Sequence, residues 1–140
     1  MIANKSRRAL PFQFRLDGGS GVPIYRQIID QVLGGIASGA LAEGDQLPTV
    51  RQVSVDLAVN PNTVVRAYRE LELRGALETQ QGTGTFIAQQ TSGPDSSERR
   101  RLLTQFVSEF AARAGSAGFT VREVLNEFSA QYTDSGRTRR

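Results

Sequence analysis

Residues 49–75, T-V-R-Q-V-S-V-D-L-A-V-N-P-N-T-V-V-R-A-Y-R-E-L-E-L-R-G, hold two short helix patterns on either side of a turn too tight for a flexible link. The first opens with Thr49 as N-cap and Gln52 three residues on, a capping box, and puts Val50, Val53 and Leu57 on one face. The turn is Ala58-Val59. The second opens with Asn60 as N-cap and Pro61 at the first helical position, where a missing N–H does no harm, and it stops at Gly75. A 3.6-residue period places Val64, Ala67, Tyr68 and Leu71 on one side of this second helix and Asn62, Thr63, Arg66 and Arg69 on another.

That polar set suits DNA. Asparagine can pair bidentately with adenine, arginine with guanine, and a threonine methyl can meet a thymine methyl, all from the first turns of a helix entering a major groove. The pattern predicts a helix-turn-helix. The alternative is an ordinary polar face on a short helical hairpin, and the flanking sequence has to separate the two.

The chain has 140 residues, 39% of them hydrophobic, enough for one compact domain with an appendage. It contains no cysteine and no histidine, so disulfides, thiolate zinc sites and histidine-based catalysis are excluded, and any metal site could use only carboxylates. No apolar run approaches the roughly 20 residues of a membrane span, and the N-terminus lacks the apolar segment of a secretion signal; a cytoplasmic protein with no membrane partner is expected. The net charge of +3 favours a polyanionic partner, but residues 1–90 hold 9 Lys or Arg against 8 Asp or Glu. Affinity for DNA must therefore come from the placement of charges rather than their bulk.

Outward from the two helices, residues 1–13 read as a flexible N-terminal arm carrying Lys5, Arg7 and Arg8. Phe12, Phe14 and Leu16 alternate as an extended lead-in, followed by the turn D-G-G-S-G at 17–21. A scaffold helix follows Pro23, with Ile24, Ile28, Val32 and Ile36 at i+4 steps and Leu33 beside them, ending near Gly39. Gln46-Leu47 can pair as a minimal strand, which Pro48 stops. Arg51, on the exposed side of the next helix's first turn, opposes the helix dipole there yet can reach a phosphate or a guanine edge. After Gly75, A-L-E-T-Q-Q-G-T-G-T-F-I-A reads as two strands joined by 81–84, with Leu77, Thr79, Phe86 and Ala88 expected to face inward. No helix follows the two glycines, so a phosphate-binding loop is a poor reading. The order helix, strand, helix, helix, hairpin is that of a winged helix-turn-helix, with Gln81, Gly82 and Thr83 at a wing tip free to approach a backbone or minor groove.

P-I-Y-R-Q-I-I-D-Q, G-D-Q-L-P-T-V-R, N-P-N-T-V-V-R-A-Y-R-E-L-E and G-T-G-T-F-I occur in this order over about residues 14–88. This set resembles the GntR family of bacterial transcription regulators, and the asparagine-led block with a small C-terminal region is most similar to its YtrA subfamily. The resemblance implies that Arg51, Asn60, Asn62, Thr63 and Gly82 contact a double-stranded DNA operator; helix geometry adds Arg66 and Arg69, and Pro61, Gln81 and Thr83 complete the expected contact set. Relatives often carry basic residues around the wing tip, whereas Gln80, Gln81 and Thr83 are neutral, so the wing is expected to add little phosphate binding.

The winged domain is expected over residues 14–90, a polar linker over 91–97, and two amphipathic helices over 98–132, the second opened by a Thr120–Glu123 capping box. Their apolar positions include Leu103, Phe106, Val107 and Phe110 on the first and Val124, Leu125 and Phe128 on the second. A pair this small cannot cover two apolar faces, so the remainder is expected to pack either on the winged domain or on the same helices of a second chain; the second, a homodimer through these helices, is the reading taken, since a symmetric reader of two half-sites gains affinity by linkage. Residues 133–140 are expected to be a disordered tail. The fold class expected is α+β, a winged helix-turn-helix followed by a two-helix dimerisation region. Two helices leave little room for an enclosed pocket, so nothing supports a small-molecule effector, and no cofactor is expected. The rival reading is a winged helix serving as a protein–protein interaction module, which would want apolar anchors where the second helix shows Asn, Thr and Arg. An enzyme is not expected, because nothing supplies a nucleophile or a poised base.

Overall fold

The computed structural model describes residues 12–89 and 95–137, with 133–137 described by backbone alone. The chain divides between Gln90 and Thr91 into two compact units. The first contains α1 (Ile24–Ser38), α2 (Val50–Leu57), α3 (Pro61–Leu73), β1 (Leu77–Gln80) and β2 (Gly84–Ile87); the second contains α4 (Ser96–Ser116) and α5 (Val121–Arg137). Gln46 bridges Phe86 as a single-residue third strand, which completes the α+β winged helix-turn-helix. No helix of the described residues is long and apolar enough to cross a membrane.

The first unit is built around α3, whose Val64, Ala67, Tyr68 and Leu71 are buried against α1, α2 and β1. Ile28, Ile29 and Val32 of α1, Val53 of α2, and Leu77 and Ile87 of the hairpin close the core around them. Full burial of each aliphatic side chain is worth about 1.5 to 3 kcal/mol. The stripe on α1 differs from the expected i+4 series: Ile29 is buried, Ile24 is 38% exposed, and Leu33 and Ile36 are partly buried. Positions four apart drift about 40° per step around a 3.6-residue helix, so a long i+4 series leaves the packed face, and its neighbour at i+1 takes over.

Local signals set the helix ends. The Thr49 hydroxyl accepts from the Gln52 N–H and the Gln52 side chain accepts from the Thr49 N–H, forming the capping box of α2. Its far end is a Schellman turn, with Val59 N–H on the Ser54 carbonyl and Ala58 N–H on that of Val55. The left-handed residue is Ala58 at φ 56°, where glycine is the usual occupant. That residue makes the turn between α2 and α3 tight. The Tyr68 hydroxyl donates to the Pro48 carbonyl at 2.6 Å, tying α3 to the entry of α2.

Burial pushes the Tyr68 hydroxyl well above the ordinary tyrosine range. Because the folded state resists ionisation that the unfolded chain undergoes near pH 10, the stabilisation is whole below that pH and declines as pH rises above it. Tyr68→Phe is expected to cost about 0.5 to 1.5 kcal/mol at neutral pH and to flatten stability against pH above 10, as read by urea unfolding across pH 8–11.5. An unchanged alkaline slope would contradict this assignment.

The lead-in is anchored by aromatic rings and by two glutamines one turn apart on α1. Phe14 is buried, and its ring meets Phe12 edge-on at 5.1 Å. Gln31 brackets the backbone of Arg15, accepting from its N–H and donating to its carbonyl, and buried Gln27 does the same for Asp17 while also donating to Val22. Packing thus begins by Phe12, earlier than the expected domain start; the basic residues of the arm lie outside the described residues.

In the wing, β1 and β2 pair antiparallel with Leu77 opposite Ile87, Glu78 opposite Phe86 and Gln80 opposite Gly84. The buried pair is Leu77 and Ile87, not the expected Leu77, Thr79, Phe86 and Ala88; Thr79 is exposed and donates its hydroxyl to the Glu72 carboxylate. The loop is three residues, Gln81-Gly82-Thr83, because Gly84 belongs to the strand. One residue of register turns every side chain of β2 to the other face.

Asp95 caps α4 by accepting from Glu98 N–H, so helix begins within the segment expected as linker, and residues 90–94 lie outside the described residues. The predicted box at Thr120 and Glu123 forms. The backbone of α5 continues to Arg137, into the segment expected to be a disordered tail.

Candidate nucleic-acid interface

On α3, Asn62, Arg66 and Arg69 form an exposed line opposite the buried face, spanning about 10 Å at 1.5 Å per residue. Thr63 sits beside this line and is partly buried, and Pro61 is exposed at the first helical position. The Asn60 side-chain oxygen accepts from Asn62 N–H at 2.8 Å, so that oxygen is committed to the cap and only its amide N–H groups remain to meet a partner. The Asn62 side-chain amide and the Arg51 and Arg69 guanidiniums have no protein partner among the described residues. Neighbouring acids are engaged: Glu70 pairs with Arg74 at 3.2 Å, and Glu72 accepts from Thr79. The exposed donors of α3 are thus left uncompensated.

Arg66 is arranged differently from the rest. Its guanidinium carbon lies 3.7 Å from the centroid of the Tyr25 ring, in the second position of α1. The outer position of Arg66 follows from the helical period, but no local pattern reveals its contact with Tyr25, because the two residues lie far apart in the chain.

At the wing tip Gln81, Gly82 and Thr83 are all exposed. Thr83 N–H donates to the Gln80 carbonyl across a turn with Gly82 at φ 77°, the positive value that the third residue of a type II turn requires. Gln46, expected only as a strand residue, also donates from Nε2 to the Thr83 carbonyl at 3.2 Å, and its side chain fills the space that a Cβ at Gly84 would need. The third strand thereby holds the tip as well as the base of the wing.

In the second unit, Leu103, Phe106, Val107 and Phe110 of α4 and Leu125 and Phe128 of α5 are each about half exposed or more, while Val124 is partly buried. Phe119, Val121 and Tyr132 extend the apolar surface. The Phe128 ring lies 6.0 Å from both Phe110 and Tyr132. These rings line an open groove of about 780 Å³. Among the described residues of this unit, only Ala114 is buried.

The family described as bacterial regulatory proteins, gntR family, matches residues 24–87. The chain is 39% identical over 118 residues to the uncharacterized HTH-type transcriptional regulator YhcF of Bacillus subtilis, covering 84% of this chain and 95% of that one. It is 33% identical over 119 residues to the HTH-type transcriptional repressor YtrA of the same organism, covering 83% and 92%. Among solved structures, a transcriptional antiterminator from Listeria monocytogenes EGD-e superposes with a TM-score of 0.62 at 30% identity, over 89% of this chain and 92% of that one.

Proposed function

This chain belongs to the GntR family of bacterial regulatory proteins, in its YtrA subfamily, and from that premise we propose that it grips an operator through the outer face of α3 and does so as a homodimer. It is a DNA-binding transcriptional regulator, built on a winged helix-turn-helix. The observation that carries the reading is the exposed line of Asn62, Arg66 and Arg69, whose donors pair with no carboxylate among the described residues and start at the first turn of the helix, the nearby Glu70 being taken by Arg74. Arginine and asparagine there match guanine and adenine edges in the major groove. Arg51, Asn60, Pro61 and Thr63 flank that line as backbone or methyl contacts, and the neutral tip at Gln81, Gly82 and Thr83 touches the duplex through its backbone.

The second unit supplies the pairing. Two copies that join α4 and α5 through Phe106, Phe110, Leu125 and Phe128 cover surfaces that water would otherwise wet. Two-fold symmetry then presents the two α3 helices to inverted half-sites about one helical turn, or 34 Å, apart. YtrA of Bacillus subtilis is a repressor by name, and we extend that sign to this chain, acting by occlusion of polymerase in the cytoplasm. No catalytic role, cofactor or effector is assigned.

Asn62→Ala is expected to lower affinity for the duplex that the wild-type chain prefers by about 1 to 3 kcal/mol, with little change on a scrambled duplex and no change in the unfolding midpoint. Fluorescence anisotropy titrations against both duplexes measure it. Equal weakening on the two would move Asn62 to the phosphates, and unchanged binding on both would remove it from the interface.

A further inference from the structure

The contact between Tyr25 and Arg66 joins the start of the scaffold helix to the outer line of α3. Arg66 leaves α3 on the side opposite the core, where an arginine would ordinarily sweep through many rotamers. Instead its guanidinium carbon rests 3.7 Å from the Tyr25 ring centroid. The ring itself is held, since Tyr25 packs partly buried against the core of the first unit. An arginine stacked on an aromatic face keeps the N–H groups on its edge available, because the attraction uses the face of the guanidinium and not its donors. No carboxylate pairs with Arg66 among the described residues, so the tyrosine fixes the side chain without neutralising it.

We propose that Tyr25 is a positioning residue of the DNA interface, holding Arg66 in one orientation so that the arginine meets the operator with its side-chain freedom already spent. The proposal rests on the reading that Arg66 contacts the operator, and it adds that the contact depends on an aromatic ring in another helix. Ordering a long side chain on binding weakens association, and a side chain ordered beforehand avoids that loss. An exposed cation–π contact of this kind corresponds to roughly a two- to fivefold effect, rising towards thirtyfold when binding removes the surrounding water.

A double-mutant cycle in the full-length chain separates positioning from general support. The probe is the duplex that the wild-type chain selects from a random-sequence pool, and the variants are Tyr25→Leu, Tyr25→Phe, Arg66→Ala and the Tyr25→Leu, Arg66→Ala double. Expected results are a loss of about three- to tenfold for Tyr25→Leu when Arg66 is present, less than about twofold when Arg66 is already alanine, and wild-type affinity for Tyr25→Phe, which keeps the ring. Melting curves on each variant show whether the fold is kept, and where the leucine variant is unstable the same cycle is run with Tyr25→Met, which keeps bulk and removes the ring, with the same losses expected and the same overturning result. An equal loss from Tyr25→Leu in both backgrounds would overturn positioning and make the tyrosine a packing residue. If Arg66→Ala alone leaves affinity unchanged, the reading of Arg66 fails and the proposal falls with it, an outcome distinct from the first.

Discussion

Cutting the chain after Gln90 is expected to yield a folded, monomeric winged unit whose affinity for a full inverted-repeat site falls roughly 10²- to 10⁴-fold, while its affinity for a single half-site barely changes. The unit should fold alone because its core, from Phe14 through Ile28, Val53 and Leu71 to Ile87, lies wholly before the cut, and every cap and hairpin contact around it is local to that part. The large loss follows from linkage. With both readers held in one particle, the second half-site is met at an effective concentration set by geometry, and separate readers must each be recruited from solution. Sedimentation of both forms, with anisotropy on whole and half sites, measures the effect. Equal affinities of the two forms for the whole site would refute a paired mode of binding.

The second large effect is expected from one side chain. Phe128 sits between Phe110 and Tyr132, 49% exposed, at the centre of the apolar groove. If a second copy covers that groove, Phe128→Glu places an unpaired carboxylate in a dry interface and should weaken the dimer by about 2 to 4 kcal/mol, a shift of roughly 30- to 1000-fold in its dissociation constant. Binding to the whole site should then fall towards that of the truncated unit. Circular dichroism keeps the test clean, since loss of α4 and α5 would show as lost helix. A variant that keeps its helices and still sediments as a dimer would place the interface elsewhere.

Much of this fold was legible because its punctuation is local. Thr49 with Gln52, Asn60 with Pro61, and Gly75 each name a helix end through hydrogen bonds spanning only a few residues, and the structure uses all three. The buried face of α3 was legible for the same reason: a single period decides it. Reading failed where one residue of count or a distant partner decided the outcome. Gly84 in the strand rather than in the turn exchanged Phe86 and Ala88 for Ile87 on the inner face. Ala58 adopts a left-handed turn that its residue type does not announce, and Gln27, Gln31 and Gln46 serve backbone groups that only the folded chain brings near. Of the interface, the residue types on α3 could be read, but the resting place of Arg66 on Tyr25 could not, because it depends on how α1 crosses α3.

Selection from random sequence tests most directly whether the outer face of α3 chooses its DNA. The full-length chain, incubated with a pool of random-sequence duplexes at near-physiological salt and carried through rounds of capture and amplification, is expected to enrich two inverted half-sites whose centres lie about one helical turn apart. The Asn62→Ala chain should recover a motif degraded at the same position in both halves. A pool recovered with no sequence enriched over the input, at salt low enough for the chain to hold DNA, would contradict the claim and leave only attraction to phosphates.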